Sequence, residues 1–160
     1  MSGRARRAIL GALIVAAWAV PNVSTSAAQQ LSCTAEGDFT ANPGLSTTPS
    51  SGTFQSEPAP LDCQGVKGTM TFAGKYGTKD PDSCSSGGEG TSTNTYKFTD
   101  GTVTDEVDFT YGPFQGGALG GSFKGARSSG TFEVTGIEGD CVSKPLTKAH
   151  AKFRNIVINR

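Results

Sequence analysis

Apolar and polar residues alternate along most of the chain, in short stretches broken by turn residues. In the first stretch Leu31, Cys33, Ala35 and Phe39 fall on one side, with Ser32, Thr34, Glu36 and Asp38 on the other. An alternation with period two places successive side chains on opposite faces of an extended strand. The pattern returns with Val66, Met70, Phe72 and Tyr76 set against Lys67, Thr69, Thr71 and Lys75. A Thr-rich run from Thr91 to Phe98 leads into Thr99-Asp100-Gly101-Thr102, an Asp-Gly turn between alternating runs, which predicts a hairpin. Thr102 to Tyr111 pairs back, with Val103, Val107, Phe109 and Tyr111 in phase. Leu119, Gly121 and Phe123 form a further run, then Phe132 and Val134, and the last is Lys148 to Asn159. Between the first two runs, Ala41 to Asp62 holds Pro43, Pro49, Pro58 and Pro60 among Ser and Thr. That stretch predicts a long loop, with at most a short strand at Gly52-Thr53-Phe54.

No run keeps helical periodicity over the roughly 11 residues that a helix assignment requires. The fold expected is all-β: an antiparallel up-and-down meander of about eight strands closing into a small barrel. Closure calls for the last run to pair with the first. Ala149, Ala151 and Phe153 share one phase and Ile156 and Ile158 the other, so an extra residue near Arg154-Asn155, a β-bulge, is needed to return both isoleucines to the core. Seven of the nine phenylalanines (Phe39, Phe72, Phe98, Phe109, Phe123, Phe132 and Phe153) fall on the inward phase. Met70, Tyr76, Tyr96 and Leu119 join them there. Those rings should fill an eight-stranded barrel and leave no deep cavity; a ligand-binding interior would instead show a void above roughly 300 Å³. Gly-Thr steps at Gly52, Gly68, Gly101 and Gly130 read as strand starts at irregular spacing.

The N-terminus changes the picture of where such a barrel works. Arg4, Arg6 and Arg7 precede an unbroken apolar run from Ala8 to Val20, Pro21 ends it, and Ser26-Ala27-Ala28 offers small residues for cleavage before Gln29. This is the layout of a secretory signal peptide over 1–28, with the barrel domain over 29–160, and the run is too short to span a bilayer. Removing three arginines from a chain with 14 basic and 14 acidic residues leaves a net charge of −3. No basic excess then remains to neutralise phosphates, so a nucleic-acid partner is not expected. Trp18 is lost with the leader. The four cysteines, Cys33, Cys63, Cys84 and Cys141, show no C-x-x-C spacing and read as two structural disulfides of an exported protein. In an up-and-down meander, strand starts at the same end pair most readily, which predicts Cys33–Cys63 and Cys84–Cys141.

One local pattern resembles a known family. Gly120-Gly121-Ser122-Phe123-Lys124-Gly125-Ala126-Arg127, followed by Gly130-Thr131-Phe132, is similar to the strand-turn-strand of barrels related to allene oxide cyclase and dirigent proteins. The resemblance covers about fifteen residues and implies a small eight-stranded barrel in which Phe123 plugs the interior and Gly125 permits a sharp turn. It carries over no catalytic residue. Most of the chain after the leader also resembles small secreted actinobacterial proteins, which bring no activity with them.

Candidate chemistry is sparse. His150, the only imidazole, shares its phase with Lys152 and Arg154 and is expected on the solvent face. Glu106 and Asp108 share one face, as paired glycosidase carboxylates do, but acidic residues on a wet strand face do the same. Asp105 is in phase with Val103 and Val107, which calls for a partner, a place at the barrel mouth, or a bulge. Asp80, Asp82 and Ser83, with Glu89 beyond, offer oxygen ligands of the kind calcium takes, without EF-hand spacing. Gly116-Gly117 and Gly120-Gly121 precede no helix that could hold a phosphate. No catalytic, cofactor or metal residue is assigned, and no cofactor is expected. The sequence reading is a secreted binding or interaction module with an extracellular partner, working through rim loops and free of the membrane once the leader is cleaved. The alternatives are a small barrel enzyme or lipophilic-ligand carrier of the allene oxide cyclase-like type, and a secreted proteinase inhibitor.

Overall fold

A computed structural model describes residues 28–160. The leader expected at 1–28, with its arginines, lies outside the described residues except for its last position. Nine strands follow: β1 Gln30–Leu45, β2 Gly52–Ser56, β3 Ala59–Cys63, β4 Val66–Tyr76, β5 Gly88–Phe98, β6 Gly101–Tyr111, β7 Ala118–Gly125, β8 Ser128–Glu138 and β9 Leu146–Asn159. All pair antiparallel in one sheet, and β9 returns to β1. β2 and β3 together occupy a single place in the wall. β2 bridges the far half of β1 (Phe39↔Ser56, Asn42↔Thr53) to β4 (Gly52↔Tyr76), while β3 bridges the near half (Thr34↔Asp62) to β4 (Ala59↔Met70). The barrel therefore has eight positions and one interrupted strand, broken at Glu57-Pro58.

The expectation of a long loop over Ala41–Asp62 is corrected. β1 runs on to Leu45, and only residues 46–51 and 57–58 of that stretch lie outside strands. Pro49 does lie in a loop, but the other three prolines misled because each sits where a strand tolerates it. Pro43 lies in the segment where β1 has left β9, Pro58 marks the strand break, and Pro60 points outward between buried Ala59 and Leu61. The Gly-Thr steps are corrected as well: Gly52 and Gly101 start strands, whereas Gly68 and Gly130 lie inside β4 and β8.

Closure depends on the bulge in β9. Cys33 faces Ile156 and Ala35 faces Phe153, so β9 spends one residue more than β1 across this step. Asn155 absorbs it with a left-handed φ of 51°, a conformation asparagine accepts more readily than most residues. Phe153, Ile156 and Ile158 then all point inward, and both isoleucines are fully buried. A second irregularity inserts an extra residue on β8 between Gly136 and Glu138, which leaves Ile137 exposed.

The two ends of the barrel differ. At the end with tight turns (64–65, 99–100 and 126–127) Leu31, Leu61, Met70, Tyr96, Val103, Ile156 and Ile158 are packed to near-zero exposure around the Cys33–Cys63 disulfide. Arg160 closes this end, its guanidinium 4.7 Å above the Phe98 ring. At the other end the long β4–β5 loop folds across the rim. Its Cys84 is bonded to Cys141 of the β8–β9 loop, its Asp82 exchanges backbone hydrogen bonds with Ser50, and its Cys84 N–H donates to Ser46 at 2.9 Å. Both pairings are those the strand order predicts. The second closes 57 residues, which restricts the unfolded chain by about 4 kcal/mol in the entropic account. Disulfides of this kind persist in oxidising compartments.

Removing Ile156–Arg160 deletes two fully buried side chains and the β1–β9 pairs Leu31↔Ile158, Ser32↔Val157 and Cys33↔Ile156. At roughly 2–5 kcal/mol for each isoleucine, the loss approaches a domain's whole stability. The truncated chain is expected to show no cooperative melt by circular dichroism. An unchanged melting temperature would contradict closure through β9.

Candidate ligand-binding site

The interior toward the loop end is built from aromatic residues. Six phenyl rings from six strands form a closed circuit of contacts. Centroid separations run from Phe39 to Phe54 at 6.3 Å, on to Phe109 at 5.5 Å, Phe132 at 6.4 Å, Phe153 at 6.1 Å, Phe72 at 5.0 Å, and back to Phe39 at 5.6 Å. Most of the pairs are edge-to-face, the arrangement that sets the positive edge of one ring against the negative face of the next. Glycines seat two of the rings. Gly90 lies opposite Phe109 and Gly121 opposite Phe132, and a Cβ at either would run into the ring that covers it.

The circuit surrounds a cavity of about 110 Å³. Phe39, Phe54, Phe109 and Phe132 border it and are half-buried although they point inward, whereas Phe72, Phe123 and Phe153 are buried. Of the seven rings expected inside, Phe72, Phe123 and Phe153 belong to the buried core and Phe39, Phe98, Phe109 and Phe132 pack against it, and the void is well below the roughly 300 Å³ of a drug-sized pocket. The interior is nevertheless not filled throughout, which corrects the expectation of a core packed from end to end. The reason lies on β5. Between Phe72 on β4 and Phe109 on β6 this strand presents Gly90, Ser92 and Asn94 inward, and none of them reaches the centre as a ring would. At ~24 cal/mol per Å³ an empty void of this size costs about 2–3 kcal/mol, which a molecule filling it would recover.

Ser92 and Asn94 join the phenols of Tyr76 and Tyr111 as polar members of this lining, and both are at least nine-tenths buried. Ser92 Oγ donates to Asn94 Oδ1 at 2.9 Å, and Asn94 Nδ2 donates to the Tyr96 hydroxyl at 3.3 Å. Deeper, Ser128 is a neighbour of that hydroxyl, and its own Oγ donates to Asp105 Oδ2 at 2.8 Å. Asp105 Oδ2 also accepts the Ser128 and Arg127 amides at 2.7 and 3.1 Å, so this inward carboxylate is partnered at the barrel end by the β7–β8 turn. Burial pushes the Tyr96 phenol up, against the opposing pull of Ser128 and Asn94.

A second buried carboxylate anchors the loop end. Asp82 Oδ2 accepts the Gly77 amide at 2.9 Å, the Glu89 amide at 3.1 Å and the Tyr111 hydroxyl at 2.9 Å. Burial drives the Tyr111 phenol far above its ordinary value, and Asp82 adds to the shift through its hydrogen bond and charge.

The residues singled out from sequence are dispersed. Asp80 is exposed, Asp82 is committed to the contacts above, and Glu89 is paired with Lys79 at 2.8 Å, so these oxygen groups do not converge. Among the described residues no group of three or more His, Cys, Asp or Glu side chains could hold a metal ion. Glu106 and Asp108 lie on the outer face, where Glu106 accepts from Thr93 at 2.5 Å, while Asp105 points inside. His150 is on the outer face as expected, but half-buried, with Nδ1 2.7 Å from Asp38 Oδ1 and Nε2 3.7 Å from Glu36. Gly116 and Gly117 form an exposed turn with left-handed φ values of 62° and 84°. The sequence pattern did not mark Ala41, Leu45 and Phe54, which fall in the presumed loop, or Leu146; it also passed over Ser92 and Asn94, which share the phase of Tyr96 and Phe98 and could have been found by it. Comparison of the chain with protein-family models, curated proteins and solved structures returned no match.

Two outcomes follow from the buried polar groups. Asp82→Ala leaves the Glu89 amide and the Tyr111 phenol unpaired, while the Gly77 amide keeps the Glu89 carbonyl at 2.8 Å, and is expected to destabilise the barrel by about 2–4 kcal/mol in urea unfolding; a loss below about 0.5 kcal/mol would contradict the anchoring role. A phenol whose folded pKa exceeds its unfolded value near 10 supports folding fully below that pH, and the support is lost as pH rises toward the folded pKa. Stability should therefore fall above about pH 10, with Tyr96 and Tyr111 ionising only as the chain unfolds, as read at 295 nm. Phenolate absorbance from all three tyrosines near pH 10 with the fold intact would contradict this.

Proposed function

We propose that this protein is a secreted binding protein that takes one small apolar group, of the size of a single aromatic ring, into the loop-end half of its barrel. The observation that carries the reading is the cavity of about 110 Å³ inside the circuit of phenyl rings. Apolar cavities of comparable size, about 150 Å³, stay dry and take up benzene. The lining contains no Lys, Arg, His, Asp or Glu, so a neutral occupant is favoured over an ion. Export is supported by the Arg4-Arg6-Arg7 cluster, the apolar run Ala8–Val20 and the small residues before Gln29, together with the two disulfides. This gives the binding module expected from sequence a place to bind that is inside the barrel rather than on its rim loops. It also stands nearer the carrier alternative.

The inhibitor alternative draws less support. The β8–β9 loop beside Cys141 displays Val142 at 77% exposure, but its amides turn inward on Asp140, which accepts from Val142, Ser143 and Lys144 at 2.7–3.0 Å. The Ser143 hydroxyl, together with those amides, holds the Asp140 carboxyl well below its usual range and curls the loop, whereas a proteinase substrate site requires an extended segment.

Toluene added to the exported chain is expected to raise its melting temperature saturably and to bind with a dissociation constant of ~0.1–1 mM. Ala151→Leu, which places carbon in the cavity from β9, and Ala41→Leu from β1 should each weaken that binding about tenfold or more while the barrel still melts cooperatively. No saturable binding to the unsubstituted chain, or undiminished binding to both variants, would count against the proposal.

A further inference from the structure

We infer that the occupant of the cavity carries a hydroxyl, placed against Ser92 and Asn94 on β5. The inference rests on the binding reading above and specifies its ligand class: a small neutral phenol or aromatic alcohol. The argument is one of unused hydrogen-bonding capacity. A carboxamide has two N–H donors, and a serine hydroxyl has one donor and two acceptor positions. Asn94 gives one Nδ2 hydrogen to Tyr96, and its Oδ1 receives the Ser92 proton. Among the described residues nothing accepts the second Nδ2 hydrogen. The Ser92 proton is shared between Asn94 Oδ1 at 2.9 Å and the Ala73 carbonyl at 3.3 Å, and no described group donates to Ser92 Oγ.

One unused donor and one unused acceptor therefore stand on neighbouring side chains, each at least nine-tenths buried, in a lining whose other hydroxyls, on Tyr76 and Tyr111, are committed to Pro43 and Asp82. A hydroxyl satisfies both, giving its proton to Ser92 Oγ and receiving one from Asn94 Nδ2. A methyl or aryl C–H satisfies neither. A carboxylate could use only the donor, and the lining holds no cation to balance it. An ammonium could use only the acceptor, and the lining holds no carboxylate. The amide is held in this orientation from behind. Its Nδ2 donates to the Tyr96 hydroxyl at 3.3 Å, and the neighbouring Ser128 Oγ commits its proton to Asp105. The register completes the fit. Asn94 lies opposite Phe72, so an aromatic ring hydroxylated at its buried end would rest among Phe72, Phe109 and Phe132.

Isothermal titration of the exported chain with p-cresol and with toluene isolates one hydroxyl. The expected result is p-cresol binding roughly tenfold tighter than toluene, the worth of two net hydrogen bonds in a dry site. Ser92→Ala, which keeps the amide and the Tyr96 contact, should reduce that preference to about twofold or less, with toluene affinity unchanged. Asn94→Leu should abolish it where the variant folds, and Ser92→Ala keeps the test decisive where it does not. Equal affinity for the two probes, or a tenfold preference that survives Ser92→Ala, overturns the inference and leaves the binding reading standing. Failure of toluene and p-cresol alike overturns both.

Discussion

An open antiparallel sheet would leave a row of unpaired amides and carbonyls along each margin, and the pairing of β9 with β1 removes both rows. The rest of the structure depends on this contact. It runs from Gln30↔Asn159 to Leu45↔Leu146, and it is possible only because Asn155 takes up one extra residue and turns Ile156 and Ile158 back inside. A sheet closed in this way has a fixed girth, so its wall cannot draw inward to fill an interior that the side chains leave incomplete. The persistence of a cavity in a barrel so rich in phenyl rings follows from that fixed wall and from the short side chains on β5.

The two ends divide the work of stability. The tight-turn end is filled by aliphatic side chains, Met70 and Tyr96 around Cys33–Cys63. The loop end is held by groups above the interior rather than within it: the Cys84–Cys141 bond, and Asp82 gathering two amides and a phenol. With the rim fixed from outside, the rings beneath can pack edge-to-face around a void instead of collapsing over it. The polar chain from Ser92 to Asp105 links the two halves, entering the sealed end where every member finds a partner and meeting the cavity where two hydrogen-bonding positions stay free.

Much of the fold was legible in the sequence. The period-two alternation identified the strands from β4 onward, and the phase break between Phe153 and Ile156 located the bulge. The cysteines' places relative to strand starts gave both pairings. What was not legible has physical causes. Pro43, Pro49, Pro58 and Pro60 read as a loop because proline forfeits an amide, and only the three-dimensional pairing shows that none of those amides was needed for the wall. That error hid Phe54, and with it the closure of the ring circuit. Ser92 and Asn94 were passed over because a Thr-rich strand looks polar on both faces; only its phase with Tyr96 separates the inward pair from Thr91, Thr93 and Thr95. Asp105 shows the converse case, an inward charge that sequence could mark as needing a partner without naming the β7–β8 turn that supplies it.

The central claim is that a void persists inside the closed barrel between the phenyl rings and β5. A crystal held under xenon pressure tests it directly, because xenon enters such cavities without needing a polar partner. The account predicts a single strong peak of anomalous density enclosed by Phe72, Phe109, Phe132 and the Asn94 side chain, with the wall unmoved. An interior without xenon, with the rings closed over the space, would contradict the account.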